Sequence, residues 1–153
     1  YNHFLVDVRS TMFRQTMFSE FEEFAHAEYE KGVPLTRALL CKKYQQLNNF
    51  YHGKSVEQID EMQFEWARIP HFYSHFYVYK YATGMICAVN IANRLINNEY
   101  NQKEKYLKFL SSGSIKSPIA LLKSCGCDLE KEEIYDDVFA VCKDFIKKWK
   151  ALL

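Results

Sequence analysis

No apolar run in this sequence approaches the roughly 20 residues that a membrane-spanning helix requires. Lys, Arg, Glu or Asn breaks every long stretch within a few positions, so no membrane partner is expected. Nor does one sign of charge dominate: 20 Lys and Arg stand against 19 Asp and Glu, a net +1, which supplies no general field for nucleic acid. Alternating β-branched strands between hairpin turns are lacking, as is any internal repeat. No basic leader followed by an apolar segment opens the chain. The odd set Cys41, Cys87, Cys125, Cys127 and Cys142 argues against a disulfide framework and for reduced thiols in the cytoplasm.

Several chemical signatures are missing as well. His71 and His75 stand four apart, a spacing that sets two imidazoles on one helical face, but Phe72 follows the first where HExxH needs Glu. No nearby third ligand is evident, and no metal site is expected. Cys125-Gly126-Cys127 lacks the spacing of CxxC, and Ser111-Ser112-Gly113-Ser114 lacks the Gly-Lys-Ser/Thr that completes a phosphate-binding loop. Both read as turns.

What the chain has is helical periodicity. Hydrophobic residues make up 48% and aromatics 16% of 153 residues, enough apolar surface to fold one compact domain spanning 1–153. From Phe4 through Val8, Met12, Met17, Phe21 and Phe24 to Tyr29, large apolar residues recur every three to five positions, which predicts a long amphipathic helix ended by Gly32 and Pro34. Thr36 is placed to cap a second helix that closes at His52 and Gly53. Ser55 and Gln58 form a capping box for a short helix running toward Trp66. His71 to Asn97 contains no Pro and is apolar on most sides, which predicts one continuous central helix. Further helices are expected over about Gln102–Leu110, from Pro118 with Ser117 as N-cap to Gly126, and over Glu130–Leu153 with Lys147, Lys148 and Lys150 on its solvated side. The predicted fold is all-α, an irregular multi-helix bundle. The chain starts at Tyr1 with helical pattern and no cap, and so reads as cut from something longer.

The densest chemistry is RIPHFYSHFYVYKYATG, Arg68 to Gly84, which gathers His71, Tyr73, His75, Tyr77, Tyr79 and Tyr81. A buried Tyr hydroxyl needs a partner, so such a cluster implies either a hydrogen-bonded core or one wall of a wet cleft.

Four blocks carry a resemblance: FRQTMFSEFEEFAH from Phe13, WARIPHFYSHFYVYKYATG from Trp66, FLSSGSIKSP from Phe109 and LLKSCGCDL from Leu121. In this order and spacing they resemble the C-terminal region of oligoendopeptidase F, in the thimet oligopeptidase-like group of mostly helical zinc metallopeptidases. The resemblance implies the C-terminal lobe of an enzyme that cleaves short peptides in an enclosed channel, with the HExxH helix and the third ligand upstream. Because this sequence has no HExxH, zinc is expected in the parent and not on this chain, and the chain alone is expected to be inactive. Its partners would be short peptides and the missing N-terminal part.

The resemblance further implies that a His and several Tyr residues face the reacting carbonyl. When that carbonyl is attacked, its oxygen gains negative charge, which a protonated Tyr stabilises by donating a hydrogen bond. The best match for the principal Tyr is Tyr79, with His71 as the second catalytic candidate. His75, which would share the face of Tyr79 on a continuous helix, is a candidate for binding substrate, as are Tyr73 and Tyr77 for holding the substrate backbone. Phe72 and Phe76 stand where the wider group has further Tyr. Tyr77 and Tyr81 can equally be core residues, and Arg14 and Gln15 fit a bracing role in helix packing. The alternative to an enzyme is a non-catalytic helical peptide-binding or protein-interaction module.

Overall fold

The computed structural model describes residues 1–57 and 59–153, and the chain is all helical, with no strand among the described residues. In order, the elements are α1 (Asn2–Asp7), a π-helical segment (Val8–Phe13), α2 (Arg14–Glu30), α3 (Arg37–His52), 3-10 segments at Asp60–Arg68 and Pro70–Tyr73, α4 (Tyr79–Ile96), α5 (Gln102–Ser111), α6 (Pro118–Ser124) and α7 (Glu133–Lys150). Contacts gather in two compact units, Arg9–Ala82 and Tyr1–Val8 with Thr83–Leu153.

In the unit Arg9–Ala82, α2 follows directly on the π-helical stretch and buries Met17, Phe18 and Phe21, with Met12 of that stretch also buried. Gly32, in the left-handed region at φ 75°, ends α2. The Thr36 hydroxyl then accepts the Leu39 N–H at 3.3 Å and opens α3 as its N-cap.

Met17, Phe18 and Phe21 of α2, Tyr44 and Leu47 of α3, and Ile69 and Val78 from the following segments form one core, with Trp66 and Phe72 packed against it. Phe21 meets Tyr44 edge-on at 5.2 Å between ring centroids, and Phe72 lies 5.3 Å from Phe21. A buried carboxylate crosses this core. Glu65 receives the Tyr44 hydroxyl at 2.6 Å and the Arg14 guanidinium at 2.5 Å, with Arg68 bonded to it from the next turn. Arg14 therefore braces α2 against the 3-10 segment, as expected.

The second unit packs α7 through Ile134, Val138 and Cys142, each about one turn on from the last and all buried, with Lys147, Lys148 and Lys150 exposed in its last turn. Phe4 of α1 lies 4.3 Å from the Phe145 ring. Ser117 caps α6 by accepting the Ala120 N–H, with Pro118 at the first position. Gly126 follows at φ 89°, where a Cβ would meet the Arg94 guanidinium at 2.1 Å; that guanidinium donates to the Gly126 carbonyl at 2.8 Å. The Cys-Gly-Cys string is thus a helix-ending turn with both thiols buried.

Two expected elements differ. The short helix before Trp66 is a 3-10 segment beginning at Asp60; the Gln58 half of the capping box lies outside the described residues. The continuous helix expected from His71 to Asn97 does not form: Pro70–Tyr73 is one 3-10 turn, and α4 begins only at Tyr79.

Candidate functional site

The His and Tyr residues of the segment, His71 to Tyr81, all lie within the unit Arg9–Ala82. Ile69, buried in the core, anchors its start, and Pro70 at the first position of the 3-10 turn suits a conformation that needs no N–H there. Ser74 is extended at φ −120° and ψ 115°. Phe76 sits in the left-handed region at φ 46°, a costly conformation for a residue with a side chain. Its N–H donates to Glu22 Oε1 of α2 at 2.7 Å. Val78, fully buried, then returns the chain to the core, and α4 starts. The stretch from Ser74 to Val78 therefore reverses the chain between its two aromatic halves.

That reversal brings His71, Tyr77 and Tyr81 together. The His71 and Tyr77 rings stack at 5.7 Å with 9° between their planes, and Tyr81 meets both edge-on at 5.5 Å. The Tyr77 and Tyr81 hydroxyls are 3.2 Å apart, and the Tyr81 hydroxyl is 3.4 Å from His71 Nε2. Two hydroxyls and one ring nitrogen thus form a chain with the Tyr81 hydroxyl in the middle. The hydrogen bond with Tyr77, reinforced by partial burial, holds the Tyr81 pKa above the ordinary tyrosine value, so its proton stays on at neutral pH. The Lys80 ammonium stands 5.3 Å over the Tyr77 ring.

Other expected residues are distributed differently. Tyr79 is the first residue of α4 and is 45% exposed. Tyr73 closes the 3-10 turn and is 81% exposed. His75 precedes α4 and so cannot share a helical face with Tyr79, contrary to expectation; its ring lies 5.9 Å from that of His26. The i, i+4 spacing of His71 and His75 loses its meaning for the same reason. Tyr81, read from sequence as an equal candidate for the core, is 37% exposed and central to the group.

Glu22 and His26, which hold Phe76 from α2, could not be singled out among the acidic and aromatic residues of that helix. Among the described residues no three His, Cys, Asp or Glu side chains gather into a metal-ligand set. No helix among the described residues is long and apolar enough to cross a membrane.

Comparison with known proteins gives this geometry its context. Residues 1–141 match peptidase family M3. Oligopeptidase PepF of Bacillus subtilis (strain 168) is 41% identical over 147 residues, covering 96% of this chain and 22% of that protein. Oligoendopeptidase F (plasmid) of Lactococcus lactis subsp. cremoris is 36% identical over 152 residues, covering 99% of this chain and 25% of that protein. The chain thus spans about a quarter of the length of these curated relatives. The crystal structure of oligoendopeptidase-F from Enterococcus faecium superimposes with a TM-score of 0.95 at 40% identity, over 99% of this chain and 29% of that one. Sequence and backbone agree over nearly the whole length, and the chain belongs to peptidase family M3.

Proposed function

We propose that this chain is the C-terminal, substrate-facing part of a zinc-dependent oligoendopeptidase that hydrolyses peptide bonds in short peptides. The observation that carries the reading is the linked His71–Tyr77–Tyr81 group: polar aromatics open to solvent, with two hydroxyls and a ring nitrogen joined in one chain. Neutral donors held in fixed positions suit the stabilisation of a carbonyl oxygen that gains charge during amide hydrolysis. Water would screen them in the isolated chain, and they gain strength once a peptide and the rest of the polypeptide cover them. Zinc would be held by residues outside this chain, and the chain alone is inactive.

Within this reading, Tyr79 and His71 face the reacting carbonyl, and Tyr73, His75 and Tyr77 line the path of the substrate backbone. The geometry adds Tyr81, whose hydroxyl bridges Tyr77 and His71. Five buried, unpaired cysteines support a reducing, cytoplasmic setting.

The test is made in the full-length polypeptide with a short peptide substrate. Tyr79→Phe and Tyr81→Phe should each lower kcat by about 100-fold, the typical cost of one oxyanion donor, with metal content unchanged. An unchanged kcat in both variants would remove the tyrosines from catalysis and favour a non-catalytic peptide-binding role for this segment.

A further inference from the structure

We propose that Glu22 is a positioning residue for the His71–Tyr77–Tyr81 group, acting from α2 through the backbone of Phe76; the inference rests on the functional reading of that group. Three observations converge on Phe76. Its backbone is left-handed at φ 46°, which a phenylalanine does not adopt without outside support. Its N–H donates to Glu22 Oε1 at 2.7 Å. Its ring is stacked on His26, 4.5 Å between centroids. Glu22 and His26 are four apart on α2 and so share a face, one gripping the backbone of Phe76 and the other its side chain.

The burial of Glu22 sets its role apart from ordinary packing. The residue is only 4% exposed, and its Oε2 has no partner among the described residues. A carboxylate kept in a core, with one oxygen left unpaired, is costly. Nor, among the described residues, does a salt bridge to Glu22 offset that cost; Arg14 and Arg68 pair with Glu65. What Glu22 does supply is one hydrogen bond to the one strained peptide between His71 and Tyr81. His71 lies before that peptide, and Tyr77 and Tyr81 lie after it. The 9° stacking of His71 on Tyr77 exists only while the chain reverses at Phe76. Releasing the Phe76 N–H lets its backbone relax out of the left-handed region and carries Tyr77 away from His71. Glu22 therefore touches no substrate and sets where the donors stand.

The experiment compares Glu22→Ala, Glu22→Gln and Glu22→Asp in the full-length polypeptide, reading kcat, KM, metal content and thermal unfolding with a short peptide substrate. Glu22→Ala should lower kcat about tenfold or more, because small displacements of catalytic groups are expensive. KM should stay within about twofold, because the lost interaction belongs to the transition state. Glu22→Gln keeps an acceptor oxygen for the Phe76 N–H and should hold kcat within about threefold of the parent. If Glu22→Ala does not fold, Glu22→Asp, which withdraws the carboxylate by one methylene, should show the same fall in kcat at constant KM. A lower melting temperature with unchanged kcat per folded enzyme would overturn the proposal, as would a Gln variant as impaired as Ala. His71→Ala and Tyr81→Phe separate the two levels. If neither lowers kcat, the functional reading fails and the inference with it; if they do and the Glu22 variants do not, the positioning role alone fails.

Discussion

At the scale of single residues, the most consequential side chain outside the site is Glu65. Burial pushes its carboxyl pKa up, but the Tyr44 hydrogen bond and the Arg14 and Arg68 guanidinium groups outweigh burial and hold it below the ordinary value. Its partner Tyr44 is pushed well above the usual tyrosine range, first by burial and then by the bond to Glu65. The signs follow from linkage. A depressed carboxylate contributes stability that is present above its unfolded pKa of about 4.3 and is lost as pH falls through the folded value. A raised tyrosine contributes stability that is present below about 10 and is lost as pH climbs toward its folded value. Urea unfolding measured against pH should therefore show stability declining on both the acid and the alkaline side. Glu65→Gln should flatten the acid limb; an acid limb equally steep in that variant would assign it to other carboxylates. Glu65→Ala, which leaves the Tyr44 hydroxyl and Arg14 without their acceptor, should cost about 3 kcal/mol in the same assay.

At the scale of elements, capping and breaking residues decide where each helix runs. The Thr36 hydroxyl holds one of the otherwise unsatisfied donors of α3. Thr36→Ala should cost about 1 kcal/mol and raise hydrogen exchange at the Leu39 amide. Exchange at Leu39 that does not change would mean that the cap bond contributes nothing in solution. These elements were legible in the sequence because their causes are local: Thr36 and Ser117 as N-caps, Pro118 at N1, Gly32 and Gly53 as stops, and four-residue spacing along α7. The break before α4 was not legible. Ser74 to Val78 contains no Gly or Pro, and helical periodicity runs straight through it. The chain reverses there because Glu22, 54 residues earlier, captures the Phe76 N–H. A hydrogen bond over that distance leaves no mark on local pattern.

At the scale of the whole molecule, the chain presents a donor group without a metal-ligand set among its described residues, and its relatives are about four times as long. Purified alone and supplied with zinc, it should neither bind the metal stoichiometrically nor cleave a short peptide. Chelator-sensitive cleavage with about one zinc per chain would show instead that it carries a complete site of its own. The sequence by itself determined that the protein is all helical, that Thr36 and Ser117 cap two of its helices, that it resembles oligoendopeptidase F, and that its His and Tyr residues crowd between Arg68 and Gly84. Periodicity, caps and blocks of similar residues are properties of neighbours along the chain. Only the tertiary structure decided which of the aromatics meet. It joined His71, Tyr77 and Tyr81, and it left His75 outside the helix that Tyr79 begins. The physical reason is one left-handed peptide held by a buried carboxylate on another helix, a contact that exists only once the core has closed around both.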